Sequence, residues 1–216
     1  MYDWITHTWN PIKGECPHGC TYCYMKRWGK QKPLRLDESE FKTDLGSGNT
    51  IFVGSSCDMF AEDVPPEWAF RVLDYCEKYP ENTYLFQTKN TRAYHQYAVA
   101  IASIDRFVLC TTIETNRWYG DIMGSCSLPR IRAYDFSLIP HRDKYVTIEP
   151  IMDFDLDEMV AIIKQCEPIQ VNIGADSGHN NLPEPSYEKV MQLVAELEKF
   201  TVIAKKKNLN RLLKNG

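Results

Sequence analysis

The chain has 216 residues, of which 44% are hydrophobic and 25% are charged. This balance is typical of a soluble globular protein, and a chain of this length can bury a full hydrophobic core. The formal net charge of -4 excludes a protein that is basic throughout, so bulk charge gives no indication of non-specific nucleic-acid binding.

The sequence carries no signal for membranes or for export. No apolar run approaches the roughly 18 residues of a membrane span. The N-terminal residues, MYDWITHTWNP, lack the basic and apolar regions of a signal peptide. We therefore expect a cytoplasmic protein without a membrane partner, in which clustered cysteines indicate a metal site or catalysis rather than disulfides.

Short apolar runs alternate along the chain with longer amphipathic stretches. Seven runs predict buried parallel strands: Trp4–Trp9, Thr50–Gly54, Thr83–Gln87, Arg106–Ile113, Lys144–Ile148, Ile169–Gly174 and Thr201–Ala204. Five stretches predict helices: Pro66–Tyr79, Thr91–Ser103, Pro129–Leu138, Leu156–Cys166 and Ser186–Phe200.

This alternation predicts an α/β fold built from right-handed strand–helix–strand units around a parallel sheet. About six or seven units fit into the chain, so we expect an incomplete TIM-like α/β barrel, with a doubly wound sheet as the alternative. A single domain over residues 1–216 is the simplest division, because no linker interrupts the pattern. In both folds, functional residues gather where the strands end.

Three of the 8 cysteines lie close together after the first predicted strand. Cys16, Cys20 and Cys23 have the spacing C-x3-C-x2-C within a loop over residues 14–25. Three thiolates on one tight loop can bind three irons of a four-iron cluster and leave the fourth open to another ligand. Pro17 and Gly19 favour a turning loop whose backbone amides can point at sulfur.

Zinc is the alternative reading of the cysteine loop. The three cysteines and either His7 or His18 would make a Cys3His site. Zinc motifs more often come as two C-x2-C halves, and the chain has one half only. The spacing therefore favours an iron–sulfur cluster.

The same residues carry a family resemblance. The C-x3-C-x2-C spacing with an aromatic residue before the last cysteine resembles the radical S-adenosylmethionine superfamily. Residues 20–25, CTYCYM, are similar to the spore photoproduct lyase family, which has tyrosines on both sides of its third cysteine. Further segments of the chain resemble a phage-associated radical S-adenosylmethionine family of unknown function. They are WNP at 9–11, VGS at 53–55, DMF at 58–60, TK at 88–89, IEP at 148–150 and GADSG at 174–178.

The resemblance implies a partial α/β barrel with a [4Fe-4S] cluster and bound S-adenosylmethionine. Cys16, Cys20 and Cys23 would be the cluster ligands. One electron, from a flavodoxin- or ferredoxin-type donor, would cleave the cofactor to a 5′-deoxyadenosyl radical that abstracts hydrogen from a substrate. The cofactor supplies the difficult chemistry, and the protein positions and shields it.

The resemblance also implies roles at the strand ends. Ser55, Ser56 or Asp58 would hold the methionine amino group, and Lys89 would pair with its carboxylate. Glu114 would contact the ribose. Thr112, on the same face of the strand, is the second candidate for this contact.

Two acidic residues end the next two strands. We expect Glu149 and Asp176 to face the mouth of the barrel, where they contact the ligands or pair with Lys205. A structural salt bridge is the equal alternative. His141 and His179 receive no role.

Three further residues are catalytic candidates by the same resemblance. Cys57 lies near the place of a hydrogen-returning cysteine in the lyase, although a buried structural cysteine is the alternative. Tyr22 and Tyr24 flank Cys23, and Tyr22 can shield the cluster from water.

The sequence indicates the substrate less directly than it indicates the cofactors. The lyase-like tyrosines and a basic tail over residues 205–216 favour a nucleobase, nucleotide or nucleic acid, with the tail contacting phosphates. A solvated terminal helix is the alternative for the tail. Modification of a peptide or partner protein, and a non-catalytic zinc or iron–sulfur protein, are the alternative functions.

Overall fold

A computed structural model describes residues 2–214, the last two of them by their backbone only. Seven strands form one parallel sheet: β1 (His7–Trp9), β4 (Thr50–Val53), β5 (Thr83–Thr88), β6 (Phe107–Thr112), β7 (Lys144–Ile148), β8 (Gln170–Ile173) and β9 (Val202–Lys205). Two short strands, β2 (Ile12–Lys13) and β3 (Arg35–Leu36), pair with each other and bracket the cysteine loop.

The order of the strands confirms the incomplete barrel. Their spatial order is their order along the chain, and every neighbouring pair is parallel. A doubly wound sheet would reverse this order at a switch point, so that alternative is wrong. Within the described residues β1 and β9 are the two edges and do not pair with each other, so the barrel is open.

Seven α-helices occur in the described residues: α1 (Pro66–Glu77), α2 (Ala93–Gln96), α3 (Ala98–Ala102), α4 (Gly120–Met123), α5 (Pro129–Ser137), α6 (Leu156–Gln165) and α7 (Tyr187–Leu197). The predicted helix over Thr91–Ser103 is divided into α2 and α3, because Tyr97 leaves the helical conformation at φ -99 and ψ 9. The ring of Tyr97 is buried against Phe60 and Phe70. Tertiary packing of an aromatic residue outweighs local helix propensity here.

The main hydrophobic core lies between the helices and one face of the sheet. On the opposite face, a smaller apolar cluster contains Tyr2, Leu85, Val108 and Cys110, with Trp4 packed against it. Towards the carboxyl ends of the strands this inner face becomes polar, with the side chains of Gln87, Thr112, Thr147 and Asn172. A polar inner surface at this end indicates a ligand site rather than a filled core.

No helix within residues 2–214 combines the length and apolar character that crossing a membrane requires.

Candidate active site

A cavity of about 830 Å³ lies at the carboxyl ends of the strands. Its wall runs from the cysteine loop across the ends of β4 to β9 and on to residues 204–208. Cavities that bind small ligands typically have volumes of about 300–1,000 Å³. Most predicted site residues line it: Cys16, Cys20, Cys23, Tyr22, Tyr24, Ser55, Ser56, Cys57, Asp58, Lys89, Thr112, Glu149 and Asp176.

The cysteine loop turns repeatedly upon itself. The backbone N–H of Gly19 donates to Cys16 O (3.1 Å), and that of Cys23 donates to Cys20 O (3.3 Å). Gly19 adopts a left-handed φ of 66, which a residue with a side chain rarely adopts. These turns keep all three cysteines on one side of a short segment.

A second segment, residues 122–125 at the end of α4, supports the cysteine loop. Thr21 N donates to Ile122 O (2.9 Å), and Ser125 N donates to His18 O (2.9 Å). Gly124 makes this approach possible, since a Cβ at this position would lie 2.0 Å from His18 O. The loop is therefore held by a segment about a hundred residues further along the chain.

Each of the three sulfur atoms faces a hydrogen-bond donor. The backbone amide of Asp58 lies beside the Cys16 sulfur, and that of Met25 lies beside the Cys23 sulfur. Lys89 Nζ lies 3.5 Å from Cys20 Sγ. Donors at sulfur stabilise thiolates, the form that binds metals, and they tune the potential of iron–sulfur clusters.

Two further cysteines contact the ligand candidates. Hydrogen bonds from the Cys57 and Cys126 thiols lower the pKa of Cys16 to about 7 and that of Cys20 to about 5. Cys126 Sγ lies 3.4 Å from Cys20 Sγ. Burial raises the pKa of the Cys23 thiol instead. Cys57 thus lies directly beside a ligand candidate and also lines the cavity, and its catalytic role stays a prediction.

The geometry counts against the zinc alternative. In residues 2–214, no three histidine, cysteine or carboxylate side chains converge on a point where one ion would bind. His18 Nε2 already lies 2.7 Å from Asp58 Oδ2, and His7 is exposed beside Thr6. A cluster of four irons needs ligands that are further apart than those of a single ion.

Glu114 is the centre of a buried charged network. Its carboxylate is fully buried and binds Arg132 Nη2 (2.8 Å) and Lys89 Nζ (2.9 Å), and it accepts a hydrogen bond from Tyr22 Oη. Burial alone would raise the pKa of Glu114, but the charges of Arg132 and Lys89 hold it below its ordinary value. Glu114 does not line the cavity, whereas Thr112 does, and the ribose role of either residue stays a prediction.

Lys89 lies between this network and the cavity. Its ammonium group contacts Tyr22 Oη at 2.7 Å and lies 4.4 Å from the centre of the Tyr22 ring. Burial opposes its charge, but Glu114 raises the pKa of Lys89 well above the ordinary value. Lys89 is therefore a fixed cation at the cavity wall that is already paired with Glu114, and its contact with a ligand carboxylate stays a prediction.

Both carboxylate oxygens of Asp58 accept hydrogen bonds. Its Oδ2 accepts from His18 Nε2, Thr88 Oγ1 (2.9 Å) and Lys89 N (2.9 Å), and its Oδ1 accepts from Phe60 N (3.0 Å). Burial would raise its pKa, but His18 lowers it. Asp58 joins the ends of β4 and β5 to the cysteine loop, and its contact with an amino group stays a prediction.

Ser55 and Ser56 form the turn after β4. Asn10 Oδ1 accepts from Ser55 Oγ (3.1 Å) and from Ser56 N (2.8 Å), and Ser55 O accepts from Tyr24 Oη (2.9 Å). The Ser56 hydroxyl makes no hydrogen bond with another described residue. Of the three predicted partners for an amino group, Ser56 is the one whose side chain makes no hydrogen bond among the described residues.

The acidic residues at the other strand ends have partners that differ from the prediction. Glu149 pairs with Lys206 and accepts from Asn208 Nδ2 at 2.7 Å. Lys205, the predicted partner, lies instead 3.9 Å from Glu198. Successive side chains of a strand point to opposite faces, so Lys206 turns inward where Lys205 turns outward. Asp176 holds its own loop, accepting from Gly178 N (2.9 Å) and from Asn180.

Sequence reasoning missed Arg132, Gly124, Cys126, Asn10, Asn172 and Asn208. Arg132 carries a signal that could have revealed it, because it lies on the buried face of α5 with Pro129, Ala133 and Phe136. An arginine on an apolar helical face needs a buried anion. Asn10 lies in the WNP segment of the family resemblance, which gives it no role. The other four have no local signal, since their partners are distant in the sequence.

Residues 1–164 match the model of a family described as DUF5131, protein of unknown function. The chain belongs to this family. No curated protein matches it in sequence. The parallel open barrel resembles solved structures of spore photoproduct lyase.

Three of these structures cover most of the chain. A tyrosine-to-phenylalanine variant of the lyase has a TM-score of 0.64 at 10% identity, over 90% of this chain and 74% of that one. A cysteine-to-serine variant has a TM-score of 0.60 at 11% identity, over 93% of this chain and 75% of that one. A double variant with bound AdoMet and dinucleoside spore photoproduct has a TM-score of 0.54 at 11% identity, over 84% of this chain and 58% of that one. Because the sequence identity is this low, the structural similarity establishes the fold alone.

The close contact at Gly124 yields a stability prediction. Gly124→Ala places a Cβ against the backbone of the cysteine loop, and it also forces a side chain into a φ of 67. We expect it to lower the free energy of unfolding by about 1–3 kcal/mol more than Gly48→Ala does, as measured by urea denaturation. Gly48 is a matched control, since its φ is 70 and nothing lies within 4 Å of its added Cβ. Equal losses in the two variants would show that residues 122–125 do not support the loop.

The buried network yields a second stability prediction. Glu114→Gln keeps the shape of the side chain but leaves Arg132 and Lys89 without their anion. We expect a loss of about 3–5 kcal/mol in the free energy of unfolding, because unpaired buried charges are costly. Glu196→Gln, which breaks an exposed pair with Lys199, should change the unfolding curve little. Similar unfolding curves for the two variants would contradict the central place of Glu114.

Proposed function

We propose that this chain is a radical S-adenosylmethionine enzyme that acts on a nucleobase, nucleotide or nucleic acid. The observation that carries the proposal is the position of the three cysteines. They lie on one supported loop at the wall of a large cavity, at the carboxyl ends of a partial parallel barrel. Enzymes with this architecture carry their active sites at this end.

The residues present fit a [4Fe-4S] cluster. Cys16, Cys20 and Cys23 provide three thiolates, and Lys89 Nζ lies 3.5 Å from Cys20 Sγ. Three protein ligands leave one iron for a chelating molecule. When bound, the reduced cluster and S-adenosylmethionine supply a 5′-deoxyadenosyl radical that removes a hydrogen atom from the substrate.

The chain's own residues bind and orient S-adenosylmethionine, and they exclude water from the site. Lys89 offers a fixed positive charge to the methionine carboxylate, and Ser56 offers its free hydroxyl to the amino group. Thr112, which lines the cavity and whose Oγ1 accepts from Gln87 Nε2 (3.0 Å), would contact the ribose. Tyr22 is buried beside Cys20 and keeps water from the cluster side of the cavity. The electron comes from a flavodoxin- or ferredoxin-type donor.

A basic and aromatic rim supports a nucleic-acid substrate. We define the rim as residues 24–32, directly after the cysteine loop. It contains Lys26, Arg27, Lys30 and Lys32 and no acidic residue, whereas the whole chain has a net charge of -4. Trp28 within it is 74% exposed. Cations that contact phosphates beside an aromatic ring that stacks on bases are the usual elements of single-strand binding.

The position of the rim favours substrate binding over docking of an electron donor. Lys26, Arg27 and Lys30 line the mouth of the cavity itself, where a substrate must enter. Solved spore photoproduct lyase structures of the same fold contain a dinucleoside, which also supports a nucleic-acid substrate.

The basic tail fits a phosphate-binding role only in part. Lys206 is occupied by Glu149, and Arg211 by Glu184, while Lys207 is exposed at the cavity. Leu209 and Leu212 are buried, so the tail is not a solvated helix. The side chain of Lys214 and residues 215–216 lie outside the described residues. Removal of residues 205–216 would destroy the cavity wall, and point variants are the better test.

Cofactor cleavage tests the proposed chemistry. The protein is purified without oxygen, reconstituted with iron and sulfide, reduced with dithionite and given S-adenosylmethionine. We expect 5′-deoxyadenosine, quantified by chromatography, from the native chain. A variant with Cys16→Ala, Cys20→Ala and Cys23→Ala should give none. A native protein with a loaded four-iron cluster that never forms 5′-deoxyadenosine would be a structural or electron-transfer protein instead.

Binding of single-stranded DNA tests the rim. Trp28→Ala should weaken binding by about five- to a hundred-fold, because stacking contributes about 1–3 kcal/mol per base. Lys26→Glu with Lys30→Glu should weaken binding further and reduce its salt dependence. Fluorescence anisotropy with a labelled strand measures both effects.

The chain offers matched controls for these variants. Trp118→Ala removes another exposed tryptophan, and Lys42→Glu with Lys78→Glu reverses two exposed charges away from the cavity. If the controls weaken binding as strongly as the rim variants, the rim has no specific role. Intact DNA binding in the rim variants, combined with loss of activation by a flavodoxin, would assign the surface to the electron donor.

A further inference from the structure

Cys126 lies beside the cysteine loop, and the proposed reaction gives it no role. Its Sγ lies 3.4 Å from Cys20 Sγ, which is the one hydrogen-bond contact of the Cys126 side chain among the described residues. The thiols of Cys110 and Cys166, in contrast, contact oxygen atoms of the protein. Cys126 is therefore a buried thiol whose sulfur is directed at another cysteine rather than at an ordinary acceptor.

The backbone keeps these two cysteines adjacent, although 106 positions separate them in the sequence. Two backbone hydrogen bonds of 2.9 Å join the residues on either side of Cys20 to the segment 122–125, which ends directly before Cys126. Gly124 allows the close approach of the two segments. The short distance between the sulfur atoms is thus fixed by the same contacts that support the cysteine loop.

The two thiols differ in their access to the cavity. Cys20 lines the cavity, whereas Cys126 does not. Cys126 is buried instead in an apolar cluster with Met123, Met152 and Leu182. A small oxidant that enters the cavity therefore meets the sulfur of Cys20 first, and Cys126 is shielded from direct attack.

Lys89 favours a reaction at Cys20. Its Nζ lies 3.5 Å from Cys20 Sγ, and Glu114 holds it there at 2.9 Å. A neighbouring cation favours the thiolate, which is the form of a cysteine that attacks peroxides. Redox-sensing cysteines combine such a thiolate, access for the oxidant and a second cysteine close by. Cys20 and Cys126 together have all three features.

We propose that Cys20 and Cys126 form a reversible disulfide when hydrogen peroxide reaches the chain without a bound cluster. The Cys20 thiolate attacks one peroxide oxygen, breaks the O–O bond and expels hydroxide, which leaves a sulfenic acid on Cys20. The Cys126 sulfur then attacks the Cys20 sulfur, loses its proton and expels water. In total the two thiols lose two electrons and two protons, and one peroxide becomes two water molecules.

This disulfide removes a cluster ligand and preserves it at the same time. A Cys20 sulfur bound to Cys126 cannot bind iron, so the cysteine loop keeps two of its three thiolates. Without Cys126, further peroxide would carry Cys20 to sulfinic and sulfonic acids, which thiol reductants do not reverse. The bond needs the two thiols alone and goes beyond the proposed function, on which only the consequence for the cluster rests.

Mass spectrometry tests the bond directly. The full chain is purified with a thiol reductant and an iron chelator, transferred to buffer without either and treated with hydrogen peroxide. Remaining thiols are blocked with N-ethylmaleimide before digestion with trypsin. Trypsin releases residues 14–26, with the three cysteines of the loop, and residues 118–130, with Cys126 as their one cysteine. We expect these two peptides to be linked, with fragment ions that place the bond at Cys20.

Two serine variants test what Cys126 protects. After peroxide treatment and then a thiol reductant, Cys126→Ser should yield about five-fold less free Cys20 thiol than the native chain, because its sulfenic acid is oxidised further. Cys166→Ser is the matched control, since it removes another buried thiol, one that contacts backbone oxygens. It should behave as the native chain does. Circular dichroism melting curves confirm that both variants are folded.

The other two cysteines of the loop are the competing partners. A variant with Cys16→Ser and Cys23→Ser should still give the linked peptides, because neither residue is needed for the bond. Cys20 bridged mainly to Cys16 or Cys23 in the native chain would overturn the proposal. Equal recovery of the Cys20 thiol from the native chain and from Cys126→Ser would overturn it as well.

A chain reconstituted with iron and sulfide separates this proposal from the proposed function. Iron bound to the Cys20 sulfur should slow formation of the linked peptides. Linked peptides at an unchanged rate in a chain with a loaded four-iron cluster would support the disulfide and overturn Cys20 as a ligand. Linked peptides from a chain that never forms 5′-deoxyadenosine would support the disulfide and overturn the proposed reaction alone.

Discussion

The buried carboxylate of Glu114 is the interaction on which the site depends. It neutralises Arg132, which is fully buried beneath α5, and Lys89, which reaches the cavity wall. Through Lys89 and Tyr22 it also fixes the surroundings of Cys20. A network of this kind contributes little net stability compared with apolar packing, but it gives its charged groups one defined arrangement. Two cations around one anion keep an excess of positive charge beside the cysteine loop, and positive charge favours the thiolate form of a cysteine.

The fold could be predicted from the sequence almost completely, because its signals are local. All seven strands of the sheet appear as short apolar runs, and four of the five predicted helices appear at nearly their expected positions. The exception is the stretch around Tyr97, where burial of one aromatic ring divides the helix into α2 and α3. The two-residue strands β2 and β3 carry too little pattern to be recognised.

The site could be predicted only in outline. Strand ends brought most candidate residues to one cavity, as parallel topology requires. What each residue does there depends on partners far away in the sequence. Asp58 accepts hydrogen bonds from His18, Thr88 and backbone amides, and Glu149 pairs with Lys206 rather than Lys205. Side-chain direction at the end of a strand changes with a single residue, so spacing alone could not decide between the two lysines.

The open edge of the sheet has a consequence for what can enter. Within residues 2–214, β1 and β9 leave a gap between them where a complete barrel would close. Side chains cover this part of the wall instead of a ladder of backbone hydrogen bonds, and Lys206 Nζ lies 4.2 Å from the centre of the Tyr2 ring there. Side chains change rotamer far faster than a sheet breaks its backbone hydrogen bonds. A bulky ligand therefore displaces the wall most easily on this side.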